Sequence, residues 1–274
     1  LTAFNSDGFT VGSNASNAQV NQSGFTYVGW AWDAGSSTVS NSDGSITSNV
    51  RASQTNGFSI ITYTGNGTAG ATIGHGLNAA PSFYICKFRN TNSSNGPWYV
   101  YHGSLGATKA LNLGTTSAAI TSNNFWNSTE PTNTVFSVGI AGDTNGSGRN
   151  FVAYCFASVA GFSSFGTYTG NGSADGPMVF TGFRVRWLLL KSTAASYGII
   201  YDTSRSTYNA TETALYPGLS NGDTSEPNNK IDILSNGFKL RAAGGSNPNI
   251  NPSGTTVVYA AFAEHPFASN ARAR

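Results

Sequence analysis

The chain has 274 residues, of which only 9% are charged, with 14 Lys and Arg against 12 Asp and Glu. This near-neutral balance gives no electrostatic case for nucleic acid or an anionic membrane surface, and an aromatic content of 12% excludes a disordered chain. The longest apolar run, about Trp187–Leu190, is far too short for membrane insertion, since a spanning helix needs ~20 residues.

No basic start followed by an apolar block marks a signal peptide, and no initiator Met opens the chain. The sequence is therefore expected to be a processed piece or part of something longer. Two cysteines, Cys86 and Cys155, sit in alternating apolar runs (FYICKF and FVAYCF). Two buried thiols are the favoured reading, with a disulfide between neighbouring strands as the alternative. Neither a CxxC nor a Cys/His cluster occurs, so no metal and no cofactor are expected.

The predicted elements follow in chain order. FTVG (Phe9–Gly12) and YVGWAW (Tyr27–Trp32) read as hairpin strands around the loop SNASNAQVNQSG. Residues 34–56, rich in Ser and Gly, read as a polar linker. Short aromatic and β-branched runs come next: Ile60–Tyr63, Phe83–Phe88, Tyr99–Tyr101, Val135–Val138, Phe151–Phe156, Ile199–Tyr201 and Val257–Phe262. Gly/Asn/Ser turns separate them, and no long window keeps a helical period with caps at both ends. The fold class is all-β, built as tandem antiparallel β-sandwich modules of jelly-roll type.

The repeat carries most of the information. TYTGNG occurs at Thr62–Gly67 and again at Thr167–Gly172, 105 positions on. Each copy leads to an apolar strand ending in a lysine, Lys87 or Lys191, and then to a shorter aromatic strand ending at His102 or Asp202. This is the front half of a unit. A back half follows, opening with FSVG (Phe136–Gly139) or FKLR (Phe238–Arg241) and closing with FVAYCF or VVYAAF. FTVG to YVGWAW is a third back half, and the three run over separations of 23, 20 and 24 residues from first Phe to last aromatic. The expected organisation is a partial unit over 1–33, the linker 34–56, a complete module over 57–161 and a second over 162–274. The Asn-Gly pair of TYTGNG predicts a type I′ hairpin turn. Phe136, Phe156, Phe238 and Phe262 should take matching core positions.

The phrases GSITSNVRASQTNGFSIITYTGNGTAGATIGHGL, NFVAYCFASVAGFSSFGTYTGNGSADGPMVFTGF and ILSNGFKLRAAGG with YAAFAEHPF resemble the repeat module of tail-fibre-like virion proteins of marine bacteriophages. The resemblance covers almost the whole chain. It departs at Val185-Arg186-Trp187, where many relatives have Pro before the Trp, and at Cys86, where an aliphatic residue is more usual. It implies a non-enzymatic virion appendage at the virion surface, a trimer or filament of the same chain, with a host-surface glycan or protein as outside partner. A filament-forming surface protein of a bacterium is one alternative. A polysaccharide-degrading fibre enzyme is the other.

Catalytic chemistry finds little footing. Asp143 with Asp175, or Asp202 with Glu226, are the carboxylate pairs a glycosidase would need, and turn residues are the simpler reading. His75 and His102 lack a GxSxG partner and read as packing residues. DTNGSG at Asp143–Gly148 begins like a calcium loop without its glutamate and reads as a hairpin loop. The sequons at Asn66, Asn127 and Asn171 read as accidents of composition. Trp98 and Trp126, placed on loops, are candidate surface-binding aromatics, with plugging the end of a sandwich as the simpler reading. Phe9, Trp30 and Trp32, on a half-unit without a front half, are candidate inter-subunit contacts; the missing front half comes either from an upstream segment of a longer product or, as the favoured reading, from a neighbouring subunit by strand addition.

Overall fold

The structure is a computed structural model of the chain; it describes residues 1–5, 8–12, 20–89, 96–242 and 250–265. The C-terminal segment with Arg272 and Arg274, the one basic feature of the sequence and too short for a binding arm, lies outside these. Among the described residues strand takes 41% and helix 3%, in several antiparallel sheets, so the all-β sandwich class holds. Two compact units divide the chain, Leu1–Trp32 and Asp33–Arg274.

In the first unit, β1 (Ala3–Asn5) pairs antiparallel with β2 (Gly8–Thr10), setting Phe4 opposite Phe9. The expected hairpin between Phe9–Gly12 and Tyr27–Trp32 does not form, and Tyr27–Trp32 is not a strand. The second unit shows why, because there the two strands of a back half belong to different sheets.

That unit contains two sandwiches. The first is built from β3 (Val39–Asn41), β4 (Ser48–Ser53), β5 (Phe58–Thr64), β6 (Ala71–Gly74), β7 (Phe83–Phe88), β8 (Trp98–His102), β9 (Lys109–Asn112), β10 (Ile120–Thr121), the single-turn α1 (Asn123–Trp126), β11 (Val135–Val138), the single-turn α2 (Gly142–Asn145) and β12 (Asn150–Phe156). Eight strands form one sheet in the order β10-β9-β8-β7-β12-β5-β4-β3, and β11 with β6 forms the sheet facing it. Ile61, Tyr63, Tyr84, Cys86, Phe151 and Ala153 of the large sheet meet Ile73, Phe136 and Val138 of the small one in a single core.

The residues expected as a linker, 34–56, therefore carry two strands of the large sheet. The reason is a period-2 pattern within a polar composition: in β4, Ser48 and Val50 are buried while Asn49 and Arg51 are exposed. Such alternation specifies a strand whatever the overall polarity.

The second sandwich comprises β13 (Ser163–Thr169), β14 (Met178–Phe180), β15 (Val185–Ser192), β16 (Ile199–Asp202), β17 (Thr213–Ala214), β18 (Thr224–Ser225), β19 (Ile231–Leu234), β20 (Gly237–Leu240) and β21 (Thr256–Ala263). Its sheets run β13-β21-β15-β16 and β14-β20-β19, with β17 paired to β18. The two modules differ in strand number but share a central topology. β12 lies between β5 and β7, as β21 lies between β13 and β15. β11 pairs with β6 as β20 pairs with β14. Phe136 and Phe238 are fully buried, and Phe156 and Phe262 nearly so. Each back half is thus threaded through its front half: one strand completes the small sheet, the other fills the centre of the large one.

TYTGNG is the loop that passes from the large sheet to the small one, not a hairpin turn. Type I′ needs positive φ at both central residues, but only Gly67 (φ 72) and Gly172 (φ 69) have it, not Asn66 or Asn171. The loop is held by the back half. Tyr63 Oη donates to Thr144 O at 2.6 Å, and Tyr168 Oη to Ile250 O at 2.6 Å. Next to each tyrosine stands a buried asparagine, Asn145 or Asn251. Asn145 Oδ1 accepts from Asn66 N (3.0 Å) while Nδ2 donates to Thr68 O (2.9 Å) and Gly139 O (2.8 Å). Asn251 repeats this with Asn171 N (2.8 Å), Ser173 O (2.8 Å) and Ala242 O (2.9 Å). A Cβ at Gly65 would lie 2.6 Å from Gly146 O, and one at Gly170 would lie 2.2 Å from Pro252 O, so the first glycine of the motif is required by close backbone approach. The clamp accounts for the tyrosine and the first glycine of the motif, and the positive φ for the last glycine.

Candidate functional site

Alternation along β12 sends Phe151, Ala153 and Cys155 into the first core and turns Phe156 to the other face. In β21 both faces are buried, Val257, Tyr259 and Ala261 in the second core and Val258, Ala260 and Phe262 outside it. The two large sheets meet through these outer residues. Phe83 stacks on Phe165 with centroids 5.5 Å apart, and Phe156 meets Phe262 edge-on at 5.4 Å. Phe58 stacks on Phe156 at 4.6 Å, and Trp187 closes on Phe262 at 5.6 Å. The result is an aromatic seam between the sandwiches.

Polar ties reinforce it. His102 Nδ1 accepts from Ser104 N (3.3 Å), which leaves Nε2–H to donate to Tyr259 O (3.1 Å). The imidazole is neutral, because burial pulls its pKa down to about 4. Lys191 Nζ donates to Thr115 O (3.1 Å) and to Ser196 O, and burial lowers its pKa to about 8. The loop of the first sandwich that supplies Thr115 also pairs Ala119 N with Thr193 O at 2.9 Å and accepts Ser196 N on Thr116 O at 2.8 Å.

A cavity of about 340 Å³ opens beside the seam, lined by Ser82, Tyr101, Ser104, Glu130, Pro131 and Phe165 among others. Glu130 Oε1 accepts from Ala107 N at 2.7 Å, and Oε2 accepts from Tyr101 Oη. Tyr101 is raised in pKa by burial and then by Glu130, so it stays a phenol that donates. The cavity thus combines a carboxylate, hydroxyls and an aromatic ring, a set suited to hydrogen-bonding a polyol. Sequence reasoning missed Glu130, because its partners Tyr101 and Ala107 lie 29 and 23 residues away in the chain.

The sequence-predicted residues divide. Trp126 is fully buried on α1, donates from Nε1 to Lys109 O at 3.1 Å and packs edge-on against Tyr84 at 4.9 Å. It is a core residue and not a surface-binding one. Trp98 begins β8 instead of lying on a loop; it is half-buried, stacked near Tyr154 at 6.5 Å and capped by Lys87 Nζ at 4.7 Å. Phe9 is 50% exposed, and Trp30 and Trp32 are half-buried.

The carboxylates sit apart, three of them with local partners. Asp143 sits in the first turn of α2, Asp175 pairs with Lys239 at 2.9 Å, Asp202 pairs with Arg205 at 2.6 Å, and Glu226 accepts from Tyr216 Oη. His75 is buried; its Nδ1 accepts from Leu77 N (3.2 Å) and its Nε2 donates to Thr132 O (3.2 Å). Asn145, read as part of a hairpin loop, spends its amide on the TYTGNG clamp. Cys86 and Cys155 are buried free thiols. Burial pushes Cys86 up to about 12.

The chain matches no curated protein and no solved structure. A family profile matches residues 1–266, spanning the N-terminal unit and both sandwiches. The chain therefore belongs to the family described as Domain of unknown function (DUF7483).

Proposed function

We propose that this chain is a structural part of a virion appendage, a tail-fibre-like protein that acts by self-assembly and adhesion to a host surface. The observation that carries the reading is the build of the repeat: each back half is threaded through its front half, and an aromatic seam locks one sandwich to the next. Threaded modules with a buried seam resist being pulled apart, because separation exposes aromatic surface at ~25 cal/mol per Å². The long phrases shared with tail-fibre-like modules point the same way. Adhesion is assigned to the cavity beside the seam, where Glu130, Ser82, Ser104 and Phe165 offer hydrogen bonds and a ring to a host-surface sugar.

Particle purification tests the structural role. An antibody to the chain should label an appendage of intact virions in negative stain. Labelling of filaments on bacterial cells, with particles unlabelled, would sink the proposal in favour of a bacterial surface filament. For adhesion, the purified chain should coat host cells and compete with virion adsorption. A Glu130→Gln chain that folds and coats cells equally well would remove the cavity from the account.

A further inference from the structure

The loop that reaches back to TYTGNG ends in Asn-x-Ser-Gly in both sandwiches, as Asn145-Gly-Ser-Gly148 and Asn251-Pro-Ser-Gly254. The same four-residue form occurs a third time, as Asn21-Gln-Ser-Gly24, between FTVG and YVGWAW of the N-terminal back half. Its geometry repeats as well. Gly24 has φ 82, beside φ 69 at Gly148 and φ 69 at Gly254. Phe25 N donates to Gln22 O at 3.3 Å, as Arg149 N does to Gly146 O at 3.0 Å and Thr255 N to Pro252 O at 3.1 Å. Asn21 Nδ2 donates to Gly12 O at 2.8 Å, as Asn145 Nδ2 does to Gly139 O and Asn251 Nδ2 to Ala242 O. Three hooks therefore share one fold, including the contact that ties each to the strand opening its back half.

Hooks and receptors do not balance. The chain has three Asn-x-Ser-Gly hooks and two TYTGNG loops, and Asn145 and Asn251 occupy both loops. Both large sheets are likewise filled, by β12 and by β21. A second copy of residues 1–274 brings two more loops, each already holding its own hook, so it offers no receptor. The surface left over is aromatic: Phe4, Phe25 and Tyr27 are 84%, 63% and 51% exposed, and Asn21 is exposed where its counterparts are buried.

We infer that Leu1–Trp32 is the back half of a third module, and that its partner is a front half of the same repeat lying ahead of Leu1 in a longer chain. In both complete modules the front half precedes its back half, which sets the direction. The incoming segment would present a TYTGNG-like loop to Asn21 and two strands to flank Tyr27–Trp32. Tyr27–Trp32 would become the central strand of a large sheet, the place of β12 and β21. Of the two covers expected from the sequence, this takes the upstream segment in place of the neighbouring subunit.

The test supplies the missing half. Aligning Phe9 with Phe136 sets Leu1 at position 128, so residues 57–127 are fused directly ahead of Leu1 of the full chain. A second fusion uses residues 162–229, from aligning Phe9 with Phe238. Hydrogen exchange is then read at the amides of Tyr27–Trp32. The expected result is protection on the order of a hundredfold over the unfused chain in at least one fusion, as for central sheet strands, with a blue shift of Trp emission. Asn21→Ala in that fusion should lose most of the protection. Unchanged exchange at Tyr27–Trp32 in both fusions overturns the inference, whether the added segment stays unfolded or displaces the resident front half. Protection that survives Asn21→Ala overturns the hook as the recognition element.

Discussion

The side-chain oxygen of Asn145 lies 3.0 Å from the backbone nitrogen of Asn66, and Asn251 makes the same contact to Asn171 at 2.8 Å. One buried amide thus closes each sandwich at the point where the chain crosses between sheets. Its loss leaves three backbone groups of the first module without their partner, Gly139 O buried and Asn66 N and Thr68 O partly so. Asn145→Ala and Asn251→Ala should each cost about 2–4 kcal/mol in denaturant unfolding, since an unsatisfied buried group costs about 1–3 kcal/mol. Asn21→Ala in the unfused chain should fall within ~0.5 kcal/mol, as for exposed positions. Equal losses at all three sites would refute the distinction between filled and vacant hooks.

The aromatic seam should make the two sandwiches unfold as one. Phe156→Ala and Phe262→Ala should each cost about 3–5 kcal/mol, the range for large-to-small changes at buried aromatics. Because the rings touch, the double variant should cost less than the sum of the singles. Calorimetry should show one transition for the second unit in the parent chain and two in the double variant. Two transitions in the parent would show that the seam does not couple the sandwiches.

Stability should fall in mild acid. The folded-state pKa of His102 is about 4, against about 6.5 in an unfolded chain. Between those values the unfolded state binds a proton that the folded state does not, so stability drops as pH falls from about 6.5 to about 4 and levels off below. The depression corresponds to about 3 kcal/mol. His75 is shifted in the same direction by burial and adds to the slope. Urea melts across this window should show the drop, and His102→Gln should flatten it. An unchanged slope in His102→Gln would assign the acid sensitivity elsewhere.

Both thiols should be silent in the folded protein. Cys86 and Cys155 are fully buried, with thiol pKa values raised by desolvation, and the thiolate is the reactive form. A thiol reagent should label neither at neutral pH and both after unfolding without reductant. Absence of label in the unfolded, unreduced chain would mean that the cysteines are oxidised.

The two candidate tryptophans should behave oppositely. Trp126→Ala should cost about 3–5 kcal/mol as a core truncation. Trp98→Ala should cost no more than about 1 kcal/mol, mostly the contact with Lys87. Only Trp98→Ala could change adhesion without changing stability. A Trp126→Ala chain of parental stability would contradict its place in the core.

The sequence by itself determined the class, the strands of the repeat and the matching of the modules, because alternation and aromatic spacing are local properties of a pleated chain. Phe136 and Phe238 were legible as core for that reason, whereas the matching Phe156 and Phe262 are buried outside the two cores, in the seam between the sandwiches. Only the tertiary structure decided the rest. The strands in residues 34–56 were hidden because polar composition masks a short period-2 run until β5 is beside it to pair with. For Trp126 the sequence left surface binding and packing both open, since its burial depends on Tyr84 and Tyr101, 42 and 25 residues away in the chain. TYTGNG read as a hairpin because turn chemistry is local, yet its glycines answer to a loop some 80 residues downstream. Asn-x-Ser-Gly carried no signal alone. Its meaning lies in three backbone groups that the threaded fold brings to one amide, and no local window of sequence contains them.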